Sequence, residues 1–408
     1  MISKQDILRE ADRCVLCGMC LPHCPTYTLS RNENESPRGR ISMLRALANE
    51  SLVMNPAIKD HLDHCVKCRA CEQICPSKVD YIEIIDAANQ FYTDTPADES
   101  ESFSLFTDRQ KRQALFTRLR VLQKTGLDTL ASPLLSLAGS DKGRQLRMLP
   151  SIPAIKPFNE HYPAMQSAKG QVALFTGCLS HDLENETLHA AIRLLNQSGY
   201  DVDVPASQDC CGAVFQHSGQ YERAQQLMET NLAAFSDKAY DAILTVTSGC
   251  GAMLKDYGLH ADVNATGMAS RIQDVSDFIM KLVAGQPPAC KPLNKSVALH
   301  TPCSLYYPLK QADGARKLLT LIPDMSLHYL EPAPRCCGAG GKHMLQDPDH
   351  ADALLQPTLD MILANDTDIL VTSNLGCAMH LRQGLLSRGK HIEILHPLQL
   401  FARQLEGL

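Results

Sequence analysis

Cysteines are the residues of this chain whose type and spacing could do chemistry. Four stand within residues 14–24, separated by two, two and three residues, and a proline follows the last. The arrangement recurs at residues 65–76, where CVKCRACEQICP repeats the pattern of CVLCGMCLPHCP. Thiolates bind soft metal ions, and ligands this close in sequence can grip one compact metal group. The first candidate metal ligands are therefore Cys14, Cys17, Cys20, Cys24, Cys65, Cys68, Cys71 and Cys75.

The spacing C-x2-C-x2-C-x3-C-P is that of bacterial ferredoxins, in which three cysteines of one motif and the last cysteine of the other hold each cluster. Two motifs therefore predict two 4Fe-4S clusters. By this crossed arrangement one cluster takes Cys14, Cys17, Cys20 and Cys75, and the other takes Cys65, Cys68, Cys71 and Cys24. Zinc sites use cysteine pairs separated by a longer finger, so the compressed and repeated spacing favours iron–sulfur over zinc or disulfides.

The segment between the two motifs is predicted to be helical. PRGRISMLRALANESL begins with proline and places Ile41, Leu44, Leu47 and Ala48 on one helical face. An inserted helix of this kind resembles the all-helical ferredoxin domain of succinate dehydrogenase and heterodisulfide reductase subunits. The resemblance implies single-electron transfer between two clusters, without bond chemistry in this domain.

From Gln171 onward, short runs rich in valine and leucine alternate with longer helix-like stretches. This alternation is typical of βαβ units and predicts parallel sheets. The pattern also repeats, because VALFTGCLS matches VALHTPCSL and QDCCGAVFQHSG matches PRCCGAGGKHML, with equivalent cysteines 125 to 127 residues apart. The C-terminal half is therefore predicted to be two copies of one module.

Each module carries four cysteines close to predicted strand ends. They are Cys178, Cys210, Cys211 and Cys250 in the first copy, and Cys303, Cys336, Cys337 and Cys377 in the second. Ligands gather at the carboxyl ends of parallel strands, so we expect the four thiols of a module to converge at one rim of its sheet. Three interpretations stay open for each module: a further iron–sulfur cluster, a redox-active thiol pair, or cysteines buried in a structural core.

The repeated module resembles the cysteine-rich CCG domain of heterodisulfide reductase, anaerobic glycerol-3-phosphate dehydrogenase and lactate-utilisation proteins. In the fullest form of that family the last element is C-x2-C, and five cysteines hold an unusual iron–sulfur cluster. This chain departs from that form, because Thr247 stands three residues before Cys250 and Asn374 stands three before Cys377. The departure removes the fifth ligand from each module.

Composition limits the remaining classes of function. A net charge of -6 and a pI near 6.2 exclude a nucleic-acid partner held by a basic surface. No long apolar run or signal peptide stands out, which places the protein in the cytoplasm or peripherally on the cytoplasmic face of the inner membrane. No dinucleotide or P-loop motif occurs, so we expect this chain to bind no flavin and no NAD.

These observations predict an α+β protein with an all-helical ferredoxin-like domain and two α/β modules. The predicted domains are residues 1–92 for the two clusters, 93–165 for a linker with an amphipathic helix, 166–288 for the first CCG module and 289–408 for the second. The linker stretches are residues 93–102 and 148–165. Between them, Leu115, Leu119 and Leu122 form a helical stripe that packs against protein or rests on a membrane surface.

The order of two ferredoxin motifs and two CCG modules is similar to that of the iron–sulfur subunits of glycolate oxidases. CPTY, SPRGRI, SGCGA and LGCAMH add to the resemblance, which covers nearly the whole chain. It implies a partner flavoprotein with FAD that oxidises glycolate, while this chain carries electrons toward the respiratory quinone pool. No catalytic residue is expected in the chain itself.

Three alternatives remain. The chain could be the equivalent subunit of a D-lactate or anaerobic glycerol-3-phosphate dehydrogenase, which differs in its flavoprotein partner. It could be a thiol/disulfide enzyme similar to heterodisulfide reductase, acting at the CCG modules. It could also be an iron or redox sensor without electron flow.

Overall fold

The computed structural model describes residues 3–91, 105–126, 141–236, 238–259, 263–331, 334 and 336–405. The chain divides into two compact units. The first comprises Met1–Glu99, Gly212–Gln225 and Cys336–Pro357, and the second comprises Ser100–Cys211, Gln226–Arg335 and Thr358–Leu408. The predicted linker at residues 93–102 lies outside the described residues.

Helices supply most of the regular structure. The α-helices are α1 (Lys4–Asp12), α2 (Pro25–Ser30), α3 (Pro37–Ala48), α4 (Pro56–Asp63), α5 (Ala70–Ile74), α6 (Tyr81–Ala87), α7 (Arg109–Lys124), α8 (Asp141–Met148), α9 (Leu179–Leu183), α10 (Asn185–Gln197), α11 (Ala213–Gln216), α12 (Tyr221–Ala234), α13 (Ser248–Asp256), α14 (Val263–Ser270), α15 (Val275–Val283), α16 (Ala312–Leu319), α17 (His343–Gln346), α18 (Pro348–Ala364), α19 (Leu375–Ser387) and α20 (Pro397–Gln404). Short 3-10 helices span Leu21–His23, Glu33–Glu35, Ala88–Phe91 and Tyr257–Leu259, and a π-helical turn spans Leu305–Leu309.

The strands are β1 (His161–Tyr162), β2 (Gly170–Phe175), β3 (Tyr200–Asp203), β4 (Ala242–Thr245), β5 (Ile272–Asp274), β6 (Ser296–Leu299), β7 (Ser326–Tyr329), β8 (Ile369–Val371) and β9 (Glu393–Leu395). They form two sheets, in the orders β1-β3-β2-β4-β5 and β7-β6-β8-β9. Every pairing is parallel except the one between β1 and β3. The prediction of parallel sheets is confirmed. The two sheets share one strand order, since β2 lies between β3 and β4 as β6 lies between β7 and β8.

In the first unit, the regular structure within residues 3–91 is entirely helical, and none of these described residues forms a strand. α1, α3 and α6 pack against one another around Ile7, Leu44 and Ile84, which are fully buried. The helix predicted between the cysteine motifs is confirmed as α3, with Ile41, Leu44, Leu47 and Ala48 all in this core. Ser36 caps α3 by accepting a hydrogen bond from the Gly39 N–H, and Pro37 occupies its first turn.

In the second unit, residues of both sheets share one hydrophobic core. β2 and β4 pair in register from Val172 with Ala242 to Phe175 with Thr245, and the four β2 residues involved are buried. Such continuous apolar runs are expected where a parallel sheet is covered on both faces. The helical stripe near residue 119 packs against protein, because Leu115 and Leu119 contact a cluster formed by Phe116, Ile152, Leu183 and Leu375.

One strand lies where the sequence predicts no regular structure. β1 lies inside residues 148–165, which were predicted to be a linker, and pairs antiparallel with β3 at His161–Asp203 and Tyr162–Val202. A two-residue edge strand carries no hydrophobic alternation, so its pairing is decided by the neighbouring β3. Among the described residues, no helix is both long and apolar enough to cross a membrane.

The buried His396 predicts how acid weakens the second unit. Its Nε2–H donates to the Val246 carbonyl at 2.8 Å, and its Nδ1 accepts from the Leu398 N–H at 3.1 Å at the start of α20. Burial lowers the pKa of His396 to about 4. Because the folded state disfavours the proton, the stabilisation is complete above the unfolded pKa near 6.5 and is lost as the pH falls toward 4, a span of about 3 kcal/mol.

We therefore expect His396→Asn, which keeps a capping oxygen but cannot titrate, to cost about 1 kcal/mol at pH 7.5 through the lost bond to Val246. The difference from wild type should shrink and then change sign as the pH is lowered to 5, because protonation destabilises the wild type by about 2 kcal/mol at that pH and leaves the variant unaffected. Urea midpoints at several pH values measure this. His391→Asn, at an exposed position, serves as the control and should run parallel to wild type. A difference in urea midpoint between His396→Asn and wild type that does not change with pH would contradict the prediction.

Candidate metal centres

Cysteines of both N-terminal motifs line a first cavity. Its volume, counted out to the open mouth, is about 450 Å³. The cysteines at its wall are Cys14, Cys17, Cys20, Cys71 and Cys75. Much of the remaining wall is apolar, with Val15, Leu16, Met19, Ile41 and Val79 among the lining residues. The first motif thus meets the last cysteine of the second motif in one place.

A second cavity, of about 310 Å³, is lined by the complementary set. Its cysteines are Cys24, Cys65, Cys68 and Cys71. Pro37, Tyr81 and Cys71 line both cavities, so the two sites share a wall. Each predicted set of four cysteines therefore borders a single cavity.

The backbone takes the same unusual conformation in both motifs. Leu16 and Gly18 have φ of 55° and 82°, and the equivalent Lys67 and Arg69 have φ of 52° and 65°. Left-handed residues that alternate with ordinary ones are a feature of the concavities in which backbone N–H groups bind anions. Three of these four positions carry side chains, at a cost of about 1 kcal/mol each. Strain that recurs at equivalent positions indicates a functional site.

The surroundings of these thiols favour sulfur bound to a metal group over free thiolates. Burial raises the pKa of Cys20 to about 11, although the Arg38 backbone N–H donates to its sulfur and opposes the shift. Burial also raises the pKa of Cys71 well above its usual value, and the neighbouring Cys65 adds to the effect. A deprotonated sulfur in such surroundings needs positive charge, which bound iron supplies. The donor chemistry and the cavities are therefore compatible with iron–sulfur clusters.

A buried ion pair borders the second cavity. Arg40 and Glu35 join through Nη2 and Oε2 at 2.6 Å, and their side chains are 1% and 6% exposed. Glu35 Oε1 also accepts from Nδ1 of His61 at 2.6 Å and of His64 at 2.9 Å. Burial acts to raise the pKa of Glu35, but His64, His61 and Arg40 outweigh it and lower the pKa to about 2.

Two more histidines and one more carboxylate extend this network within the first unit, to four histidines and two carboxylates in all. His64 Nε2 lies 3.1 Å from Asp347 Oδ2, and His343 Nε2 lies 2.8 Å from His350 Nδ1. His64, Asp347 and His350 bring possible ligand atoms within 4.8 Å of one another. However, the rings of His64 and His350 stack at 4.3 Å with an interplanar angle of 18°. One ion cannot lie in both ring planes, so this group is a hydrogen-bonding network.

The first CCG module brings its four predicted cysteines together. Cys178 follows β2, Cys210 and Cys211 follow β3, and Cys250 lies in the first turn of α13 after β4. Cys178 Sγ lies 3.6 Å from Cys210 Sγ. Cys210 acts to lower the pKa of Cys211, but the Cys250 thiol and burial outweigh it and raise that pKa well above its usual value. The predicted convergence at one rim of the sheet is observed for this module.

Thr247 and Asn374, which replace the missing fifth cysteines, have other partners. The Thr247 hydroxyl donates to Glu184 Oε2 at 2.5 Å and lies 2.8 Å from Ser180 Oγ. Burial raises the pKa of Glu184 to about 7, against the hydrogen bonds from Thr247 and Ser180. Asn374 caps α19 by accepting from the Cys377 N–H at 3.1 Å. Both positions thus belong to polar networks of the second unit.

In the second CCG module, the predicted cysteines follow the equivalent strands. Cys303 follows β6, Cys336 and Cys337 follow β7, and Cys377 lies in the first turn of α19 after β8. The Gly338 N–H donates to Cys336 Sγ at 3.3 Å. None of the 17 cysteines, all of which lie in described residues, forms a disulfide.

Two residues at or next to the second cavity were not identified as site residues from the sequence. Arg40 lines the second cavity, and Glu35 forms a buried ion pair with Arg40. Arg40 belongs to the SPRGRI segment. That segment supported the family resemblance, but no role was predicted for any of its residues. The sequence did offer one signal, because Arg40 stands on the face of α3 that buries Ile41 and Leu44. A charged side chain is rarely buried without a partner, so an arginine on this face predicts an ion pair.

Comparison with known proteins agrees with these features. Residues 10–79 match the 4Fe-4S dicluster domain, and residues 172–255 and 297–382 each match the cysteine-rich domain CCG. Together the matched ranges cover more than half of the chain. The matches confirm iron–sulfur clusters as the cofactor class and confirm the duplication in the C-terminal half.

Three relatives extend over most of the chain. A probable glycolate oxidase iron–sulfur subunit of Bacillus subtilis is 28% identical over 93% of this chain and 90% of its own length. The glycolate oxidase iron–sulfur subunit of Escherichia coli is 29% identical over 93% and 92%. One subunit of the CoM/CoB fumarate reductase of Methanothermobacter marburgensis is 24% identical over 95% and 71%.

The first two relatives confirm the resemblance to glycolate oxidase iron–sulfur subunits drawn from the motifs. The dicluster match covers both N-terminal motifs, and the two CCG matches cover the eight cysteines of the repeated modules. The chain therefore combines a 4Fe-4S dicluster domain with two cysteine-rich CCG domains, and it is similar over most of its length to glycolate oxidase iron–sulfur subunits.

Proposed function

We propose that this chain is the electron-transfer subunit of a flavin-dependent 2-hydroxy acid dehydrogenase, with glycolate as the substrate of its partner. The observation that carries the proposal is the pair of adjoining cavities, each of which is bordered by one predicted set of four cysteines drawn from both motifs. Two adjoining clusters could accept, one at a time, the two electrons that a reduced flavin carries.

The eight N-terminal cysteines are the proposed ligands. Cys14, Cys17, Cys20 and Cys75 would hold the first 4Fe-4S cluster, and Cys65, Cys68, Cys71 and Cys24 the second. When bound, each cluster takes up and returns one electron at a time. The chain's own residues fix the cluster positions, exclude water with an apolar wall and offer backbone N–H groups to the sulfurs.

The partner is proposed to be an FAD-containing flavoprotein, because a flavin gains two electrons from a 2-hydroxy acid and needs one-electron acceptors to discharge. The names of the relatives from Bacillus subtilis and Escherichia coli support glycolate. Electrons are proposed to pass onward to the respiratory quinone pool, with the complex in the cytoplasm or peripherally on the inner membrane. The equivalent subunit of a D-lactate or anaerobic glycerol-3-phosphate dehydrogenase is the alternative, decided by the partner's substrate.

We also propose a division of the chain into four segments. We assign residues 1–92 to the two-cluster ferredoxin domain, 93–165 to a linker with a helix, and 166–288 and 289–408 to the two CCG modules. The parallel sheets with equal strand order support the two-module assignment.

The first CCG module is proposed to hold a further cluster or a redox-active thiol set. Its support is the grouping of Cys178, Cys210, Cys211 and Cys250, three of which are buried. Cys303, Cys336, Cys337 and Cys377 are the corresponding proposal for the second module. The 3.6 Å contact between Cys178 and Cys210 also supports a thiol/disulfide enzyme, which thiol–disulfide exchange activity of the isolated chain would reveal.

Iron and acid-labile sulfide per anaerobically purified chain test the proposal. We expect roughly eight irons if only the two N-terminal sites are filled and roughly twelve to sixteen if CCG modules are also filled, at four per cluster. Cys178→Ser separates the two cases, because it should lower the count only if the first module holds a cluster. Zinc in place of iron, or no reducible paramagnetic centre, would contradict electron transfer.

A further inference from the structure

The SPRGRI segment, residues 36–41, borders both cavities. It opens α3, and its Pro37 lines both sites. Arg38 lines only the first cavity, whereas Arg40 lines only the second. Residues two positions apart on a helix point about 200° apart, so neighbouring arginines on one turn are directed to different sites.

The two arginines differ in their exposure to water. The Arg38 side chain is 28% exposed and pairs through Nε with Glu33 Oε1 at 2.6 Å, while its Nη1 donates to the Leu16 carbonyl at 2.8 Å. Water and salt screen a charge in this position. The Arg40 side chain is 1% exposed, so its charge is screened far less.

Hydrogen bonds fix the Arg40 guanidinium at the wall of the second cavity. Nε donates to the His61 carbonyl at 2.6 Å, and Nη1 donates to Thr26 Oγ1 at 3.0 Å and to the Glu35 carbonyl at 2.7 Å. Thr26 Oγ1 in turn lies 3.3 Å from Cys24 Sγ. The planar fork is therefore immobile beside a proposed ligand of the second cluster.

The counter-ion of Arg40 belongs to a residue that is not part of the wall of the second cavity, although the Glu35 carbonyl accepts from Cys24 Sγ at 3.7 Å. Glu35 does not line the second cavity, and its carboxylate is shared among Arg40, His61 and His64. Arg40 is therefore the member of the ion pair that lines the cavity together with the cysteines. Reduction adds one negative charge to a cluster, and a fixed positive charge nearby favours the reduced form and raises the reduction potential.

We propose that Arg40 raises the potential of the cluster held at the second cavity above that of the first, so that an electron shared between them resides mainly on the second. The inference rests on the proposed function, since both cavities must hold clusters. It gives the two arginines of SPRGRI separate roles and makes Arg40 a tuning residue that binds no substrate.

An anaerobic redox titration followed by electron paramagnetic resonance tests this in the full chain. Arg40→Gln should reduce the equilibrium constant for electron transfer from the first to the second cluster at least tenfold, which corresponds to about 59 mV for one electron. The first midpoint potential should not move. Glu35 retains His61 and His64 as partners, so the variant leaves no carboxylate unpaired. Arg40→Lys keeps the charge and should retain most of the wild-type difference.

Arg38→Gln is the matched control, because it removes an arginine from the wall of the first cavity and should move neither potential by a comparable amount. Equal potentials in the wild type, or an unchanged second potential in Arg40→Gln, would overturn the inference. Cys17→Ala supplies a test that leaves Arg40 intact. It alters only the first site, and the unaltered four-iron signal should then titrate at the higher wild-type potential.

If the unaltered signal of Cys17→Ala titrates at the lower potential, the inference is wrong even when Arg40→Gln loses its second cluster. Iron analysis of the same samples separates this result from failure of the proposed function. A chain that binds no iron would refute the clusters themselves, whereas two clusters in the opposite order of potential would refute only the role of Arg40.

Discussion

Cys68→Ser is expected to stop the passage of electrons from reduced flavin to a quinone analogue while leaving flavin reduction by glycolate intact. Cys68 borders only the second cavity, and a serine hydroxyl is a poor replacement for a thiolate ligand of iron. Replacing residues that only hold a metal ligand in place already lowers metal affinity or activity 10- to 100-fold. We therefore expect the rate of quinone reduction to fall roughly a hundredfold or more. Stopped-flow absorbance of the flavin and of the quinone analogue in the reconstituted complex measures the two steps separately.

Cys17→Ser should have the same effect through the first cavity. Cys290→Ser is the control, because Cys290 lies outside both cavities and instead forms a backbone bridge with Leu405. Its variant should transfer electrons at the wild-type rate. If quinone reduction is unchanged in both the Cys17 and the Cys68 variants, the chain does not conduct electrons through its N-terminal sites.

Asp86→Asn is expected to destabilise the first unit by about 3 kcal/mol, the usual cost of breaking a buried pair. Asp86 Oδ1 lies 2.5 Å from Lys67 Nζ and 3.1 Å from His217 Nδ1, and the Asp86 side chain is 7% exposed. Burial acts to raise the pKa of Asp86, but Lys67 and His217 outweigh it and lower the pKa to about 2. The variant leaves the Lys67 ammonium without its carboxylate.

Because the pKa of Asp86 is lowered in the fold, the stabilisation is complete above the unfolded value near 3.9 and is lost only as the pH falls toward 2. The difference between wild type and variant should therefore stay constant from pH 8 to pH 5. Urea unfolding with matched iron content measures it. Asp63→Asn removes the exposed pair with Lys59 and should cost less than about 1 kcal/mol. Equal costs for the two variants would contradict a special role for Asp86.

The parts of the fold that follow a local pattern were predicted well. α3 was predicted from its proline and from the spacing of Ile41, Leu44 and Leu47, since a helix needs only contacts within its own turns and one apolar face. β2, β4, β6 and β8 were predicted from short valine- and leucine-rich runs, which are typical of buried parallel strands. β1 was not predicted, because its pairing with β3 depends on chain brought from elsewhere.

The same distinction holds for the site. The spacing of eight cysteines specifies which thiols can act together, because ligands of one cluster must lie within a few residues or follow a repeated motif. The surroundings of those thiols were not predicted. Glu35 accepts from His61 and His64, 26 and 29 residues away, and Asp86 meets His217 across 131 residues.

By itself, the sequence determined the cofactor class, the number of cysteine motifs, the duplication of the C-terminal module and the resemblance to glycolate oxidase iron–sulfur subunits. Tertiary structure alone decided that Arg40 would be buried at the second cavity and Arg38 held at the surface of the first, although both belong to one hexapeptide. The physical reason is that ligand identity depends on residue type and spacing, which a sequence displays. Burial, screening and the position of a counter-ion depend on distances between segments that only the folded chain brings together.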